Sequence, residues 1–177
     1  MTETSHENFW RGEFGNEYTD RNRCGEKMIA CRTANLAKCL SRADYINSSF
    51  EIGSNIGYNE IALQRLYPDI KMDVVEINEK AAAECSKIQN VNVHNTSIYD
   101  FCTESKFDLT LVNGVLIYID EYKLNVVYEK AYSDGLRASV KCYGADDVQE
   151  GVAIMHFENV GVSITGNSTN PTRFQHP

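Results

Sequence analysis

The chain has 177 residues, 42% of them hydrophobic and 24% charged, with a net charge of −8; this suits one well-buried globular domain and is short for two. The excess of acid argues against a nucleic-acid partner, and no apolar run approaches the roughly 20 residues that cross a bilayer. The six cysteines form no C-x-x-C pair, against a structural metal or a dense disulfide framework, and with a polar start that lacks a signal-peptide core they predict a cytoplasmic protein.

An aromatic segment comes first: Phe9-Trp10-Arg11-Gly12-Glu13-Phe14-Gly15-Asn16-Glu17-Tyr18, followed by Thr19-Asp20-Arg21-Asn22. It reads either as a strap over one edge of the core or as a lid. As a lid, its Tyr18 and Arg21 stand three apart on a helical turn and face one ligand, and the Arg21 fork suits a carboxylate. Residues 26–41 are helical in pattern, with Ile29, Leu36 and Leu40 on one face. Cys24, Cys31 and Cys39 beside them are expected as small buried side chains rather than metal ligands.

A strand ending at Ile52 runs into the turn Gly53-Ser54-Asn55-Ile56-Gly57, and a helix follows over 58–67 with Ile61, Leu63 and Leu66 on its apolar side. Pro68 ends it. Residues 71–77 are β-rich and finish on Glu76 and Ile77; Asn78 is placed to cap a helix through Ala81, Ala82, Ala83 and Ile88. Val91 and Val93 mark a third strand, 108–112 a fourth, and 120–133 an amphipathic helix with Leu124, Val127 and Tyr128. Residues 137–143 read as a fifth strand, 152–157 and 160–165 as an antiparallel hairpin around Glu158-Asn159, and 166–177 as a loose polar end.

Strands alternating with helices predict a doubly wound, Rossmann-like α/β fold, mostly parallel, with helices on both faces. The whole chain is expected to form a single domain. Residues 1–44 form a helical lead-in or lid, 45–133 the cofactor-binding core, and 134–177 a C-terminal part.

A glycine turn after a strand serves NAD, FAD, a nucleotide or S-adenosylmethionine, so the residues around it must choose. The dinucleotide fingerprint needs a middle glycine for the backbone to approach a pyrophosphate; Asn55 stands there. Glu51, just before the turn, repels a pyrophosphate and attracts the ammonium and sulfonium charges of S-adenosylmethionine. Glu76, about 20 residues on, holds the usual place of an acid that binds ribose hydroxyls. No Gly-Lys-Ser/Thr follows, which excludes a P-loop. In this topology Ser97-Ile98-Tyr99-Asp100 lies beside the adenine, with Ile98 against the ring and Asp100 either a polar partner or a helix cap. Asn113-Gly114 ends the fourth strand at the crevice and lacks the Pro-Pro-Tyr/Phe of nucleic-acid amino methylases. The expected cofactor contacts are thus Tyr18, Arg21, Glu51, Gly53, Ser54, Asn55, Gly57, Glu76, Ile77, Ser97, Ile98, Asn113 and Gly114.

These residues carry a resemblance. The chain resembles class I S-adenosylmethionine-dependent methyltransferases and, more narrowly, the methylases associated with pseudaminic acid biosynthesis. The shared residues are Phe9-Trp10-x-Gly12-Glu13-Phe14-Gly15-x-x-Tyr18-x-x-Arg21-Asn22, Glu51-x-Gly53-x-Asn55-Ile56-Gly57, Glu76-x-Asn78 and Gly114-Val115-Leu116-Ile117-Tyr118-Ile119. The resemblance spans about 8–133. Tyr118 replaces a histidine of that pattern and is expected as a buried packing side chain, and beyond Ser133 the likeness stops. It implies methyl transfer to a small-molecule acceptor, a sugar or sugar nucleotide of a surface-glycan pathway. Two other readings stay open: a catalytically silent S-adenosylmethionine-binding protein, and an NAD-dependent oxidoreductase, which Asn55 disfavours.

Overall fold

The computed structural model describes residues 4–23, 25–41, 43 and 46–131 with their side chains, residues 132 and 133 in the backbone, and three later strands in the backbone. Cys24, Glu158-Asn159 and residues 166–177 lie outside the described residues. Three helices open the chain: α1 (Ser5–Arg11), α2 (Glu13–Arg21) and α3 (Gly25–Cys39). Thr4 and Glu7 close a reciprocal capping box on α1, each side chain bonded to the other's backbone N–H. The alternating part then runs β1 (Ser48–Ile52), α4 (Tyr58–Leu66), β2 (Lys71–Val75), α5 (Glu79–Cys85), β3 (Val91–His94) and β4 (Leu109–Asn113). Two short 3₁₀ turns lead to α6 (Leu124–Ser133), followed by β5 (Ala138–Cys142), β6 (Ile154–Phe157) and β7 (Ile164–Thr165).

The sheet order among the described residues is β3-β2-β1-β4-β5-β6-β7. The pairs through β5 are parallel, whereas β5–β6 and β6–β7 are antiparallel. The expected doubly wound, mostly parallel fold is what the chain adopts. From β1 the chain first winds outward to β3 and then returns to place β4 on the other side of β1. The reversal leaves a crevice between the carboxyl ends of β1 and β4, where open α/β sheets take their ligands.

Each face of the sheet has its own apolar cluster. Phe50 and Ile52 of β1 join Val75, Ile98, Tyr99, Phe101, Phe107, Val112 and the α6 residues Val127 and Ala131. The other cluster joins Leu36 and Leu40 with Ala62, Leu63, Ile70, Met72, Leu109 and Leu111. The strand period of two therefore sends Ser49 and Glu51 towards the side where α3 and α4 pack. Several sequence expectations change in detail. Helix α5 stops at Cys85, short of Ile88. Cys31 is exposed and Cys39 half-buried rather than packed away. Tyr128 is 40% exposed, and Val127 and Ala131 are the buried residues of α6 among those described.

Candidate functional site

The turn after β1 is built on left-handed backbone. Gly53, Asn55 and Gly57 have φ of 78°, 49° and 86°, a region open to glycine and, at modest cost, to asparagine. Asn55 thus takes a glycine-like conformation at the middle position. The missing side chains of the two glycines make room for protein. A Cβ at Gly53 would stand 2.3 Å from Val115 Cγ2, and one at Gly57 2.2 Å from Ile88 Cδ1 and 3.0 Å from Cys85 Sγ. Gly114 (φ 71°) differs, since a Cβ there would meet nothing within 4 Å. A side chain at Gly114 would thus enter open space at the end of β4.

Glu76, at the end of β2, ties the turn to its neighbour. Its Oε2 accepts from the Asn55 N–H at 2.7 Å and its Oε1 from the Asn78 N–H at 2.8 Å. Each oxygen keeps a lone pair for another donor. Asn95 Nδ2 donates to the Glu76 carbonyl at 2.8 Å, which fixes the same corner from β3. Burial pushes the Glu76 carboxyl up, and the two backbone donors partly offset it.

Glu51 lies beneath the turn rather than in the crevice. It is 1% exposed, and its Oε1 accepts from Asn59 Nδ2 at 2.6 Å. Its neighbour is Glu60 of α4, also 1% exposed, whose Oε2 would be 3.6 Å from a Cβ on Gly57. Burial raises the pKa of both carboxyls, and for Glu60 the adjacent Glu51 raises it further. Three buried acids thus surround one turn. Among the described residues, Glu51 Oε2, Glu60 Oε2 and Asn55 Oδ1 are buried and have no donor. The sequence reading missed Glu60, although its signal was present: it stands three residues before the buried Leu63 on the inward face of α4. As a first-turn acid it passes for a helix-dipole partner.

The other predicted positions converge on the same edge of the sheet with different degrees of access. Ser97 (1% exposed) and Ile98 (7%) are buried, and Ile98 packs into the core cluster with Phe50. Ile77, Asn113 and Gly114 are half-buried. Asp100 is exposed.

The N-terminal helices cover this edge. Glu7 of α1 is hydrogen-bonded to Ser97; burial alone would raise its pKa, but the bonds to Ser97 and Thr4 with the Lys123 charge bring it below the usual carboxylate range. Trp10 packs edge-on against Phe14, Tyr18 and Tyr118, at centroid distances of 5.3, 5.1 and 4.7 Å. Tyr118 is 37% exposed, so it is a rim residue and not the buried packing side chain expected. Asn78 joins cover and core. Its Oδ1 caps α5 at the Ala81 N–H, while its Nδ2 donates to the Trp10 carbonyl (3.1 Å) and to Asn16 Oδ1 (3.0 Å). Tyr18 and Arg21 do come together on α2, with the guanidinium 5.3 Å from the Tyr18 ring and 5.0 Å from Phe14.

With this geometry in place, comparison with known proteins gives two results. The family model described as "GGGtGRT protein" matches residues 69–177. The chain belongs to the GGGtGRT protein family. The family match includes residues 134–177, where the likeness to the pseudaminic acid methylases had stopped. No curated protein sequence matches the chain.

Solved structures supply the second result. The chain is similar to the plantazolicin methyltransferase BpumL, solved with S-adenosylhomocysteine and a pentazolic desmethyl-plantazolicin analogue, at 14% identity and a TM-score of 0.59, covering 77% of this chain and 55% of that one. The N-methyltransferase NodS of Bradyrhizobium japonicum WM9, bound to S-adenosylhomocysteine, matches at 18% identity and TM-score 0.55, over 72% of this chain and 70% of that one. Magnesium protoporphyrin IX methyltransferase of Synechocystis PCC 6803, with bound S-adenosylmethionine, matches at 11% identity and TM-score 0.61, over 89% and 83%. At these identities the likeness shows a shared fold: the chain has the Rossmann-like fold of methyltransferases. It spans 55% of the length of BpumL.

Proposed function

We propose that the crevice binds S-adenosylmethionine and that the protein transfers its methyl group to a small acceptor. The observation that carries the reading is the set of three buried acids, Glu51, Glu60 and Glu76, around the turn at the β1–β4 switch point. Several carboxylates beside the turn repel a pyrophosphate and favour a ligand with a positive charge. The partnerless Asn55 Oδ1 supplies an acceptor of the kind an ammonium or a hydroxyl needs. The antiparallel β6 beside β5 also separates this sheet from the all-parallel dinucleotide form.

In this reading the cofactor supplies the methyl group for an in-line displacement. The chain binds and orients. Glu51 would set the negative potential under the amino-acid end, the free lone pairs of Glu76 would accept from the ribose, and Ser97 and Ile98 with Ile77 would hold the base. The backbone of Gly53, Ser54, Asn55 and Gly57 shapes the floor, and Asn113 with Gly114 forms the wall on the acceptor side. Tyr18 and Arg21 belong to the cover, where Arg21 suits a carboxylate. Holding two reactants in line is worth several kcal/mol, and no general base is assigned. We read the acceptor as a sugar or sugar nucleotide, on the strength of the aromatic and glycine motifs shared with the pseudaminic acid-associated methylases.

Titration calorimetry of the full chain with S-adenosylmethionine, S-adenosylhomocysteine and NAD tests the reading. Binding of the first two and not of NAD is expected, and loss of both on Glu51→Ala. If neither sulfur nucleoside binds, the reading is wrong. For the acceptor, transfer of a labelled methyl group to nucleotide sugars is the measurement, and labelling confined to non-sugar acceptors would exclude the sugar.

A further inference from the structure

Glu60 counts among the three acids at the turn, and a buried acid beside another is costly unless something is gained. Both carboxyls are 1% exposed. They flank the same turn: Asn59, next to Glu60 on α4, donates to Glu51 Oε1, Glu60 Oε2 stands 3.6 Å from a Cβ on Gly57, and the Oε2 of each is buried with no donor. Each therefore acts on the other's acidity. Two carboxylates in contact cannot both be anions, nor can one accept from the other without a proton between them. Glu51 already accepts the Asn59 amide at 2.6 Å and feels the positive charge of Arg32 on α3, so it is the better anion. Glu60 has the opposite surroundings: besides Glu51, the nearby charge that acts on it is Glu76. Cys85 of α5, the remaining titratable group at this corner, is pushed up by burial, then by Glu60, and stays a neutral thiol.

We propose that Glu51 and Glu60 hold one proton between them, carried by Glu60 and donated to Glu51, so that the pair presents a single negative charge under the turn. Glu60 is then a positioning residue. Its O–H fixes the Glu51 carboxylate and limits the charge that an arriving ammonium or sulfonium meets. The part that concerns a ligand rests on the S-adenosylmethionine reading; the shared proton does not. No bond other than O–H···O is involved, and the proton stays on the pair when a cation binds.

Two measurements on the full chain test this. An infrared difference spectrum of wild type minus Glu60→Gln at neutral pH is expected to show the C=O stretch of a neutral carboxylic acid. No such band would overturn the shared proton. Calorimetry with S-adenosylhomocysteine across pH is the second. Glu60→Leu should weaken binding by at least about tenfold, the loss of one hydrogen bond to a charged group. Glu60→Gln, whose amide also donates to Glu51, should recover most of that loss and lack the wild type's decline where Glu60 ionises. An alkaline limb unchanged by Glu60→Gln would overturn the positioning role. A neutral-acid band with no binding of either sulfur nucleoside would reject the ligand reading and leave the shared proton standing. Binding without the band would do the reverse.

Discussion

The turn after β1 and the helical cover over it solve the problem of a ligand-facing edge in opposite ways. At the turn, side chains are shut away and polar: Glu51, Glu60 and Glu76 are at most 8% exposed, and the backbone is bent into left-handed geometry to accommodate Val115, Ile88 and Cys85. In the cover, aromatic rings sit half in solvent, with Phe9 46% and Tyr118 37% exposed, and polar bonds to the core hold their helices in place. Asn78 carries two of those bonds. A buried, acidic floor and a half-exposed aromatic roof are what a site needs if a ligand enters from above. The difference teaches where substitutions should act: on global stability at the floor, and on access and local order at the roof.

The sharpest way to break the comparison is Gly57→Ala. It combines a left-handed φ with contact against Ile88 and Cys85, and we expect a loss of about 3 kcal/mol in urea unfolding. A smaller global loss would mean that the floor yields more readily than its packing indicates. Gly15→Ala probes the roof, because its Cβ would fall 1.8 Å from the Trp10 carbonyl and 2.7 Å from Asn78 Nδ2. A cost of about 2 kcal/mol is expected, with the single tryptophan, Trp10, changing its fluorescence before the far-UV circular dichroism moves. Coincident transitions would instead make floor and roof one cooperative unit. Asn78→Ala removes the α5 cap and both bonds to the cover, and should lower stability by about 1 kcal/mol from the cap alone, together with the same early Trp10 change.

Acidity separates the two regions by a condition-dependent effect. Glu51, Glu60 and Glu76 all have pKa values raised by burial, so the folded state keeps protons that the unfolded chain has released. Their contribution is fully present below the ordinary carboxylate range of about 4.3 and is lost as pH rises through the raised values. The melting temperature should therefore fall on the alkaline side of that range, and Glu60→Gln should flatten the fall. Smallest of all is Lys80→Ala. Its 2.6 Å pair with Asp20 joins side chains that are 40% and 58% exposed, and the change should stay within about 0.5 kcal/mol.

Much of this was legible in the residues, and the failures have physical reasons. Asn78 was expected to cap α5 and does, because capping depends on local sequence. The bonds it makes to Trp10 and Asn16, some sixty residues away, carry no local signal. Tyr118 and Tyr128 were expected to be packed, yet they are 37% and 40% exposed, since aromatic character states a preference for burial and not which face a helical turn presents. Glu60 reads locally as a helix-start acid. It became a partner of Glu51 only because β1 turns its odd-numbered residues towards the side where α4 lies.

The sequence by itself determined the alternation of strands and helices, the glycine turn with its flanking acids, and the aromatic character of the first segment. These follow from periodicity, backbone freedom and composition, all short-range properties. Tertiary structure alone decided that Gly53 and Gly57 stand against Val115, Ile88 and Cys85, that Ile98 packs with Phe50, and that Glu51 and Glu60 lie together beneath the turn. Those facts depend on which elements the winding of the sheet brings together, and a contact between distant elements exists only once the chain has folded.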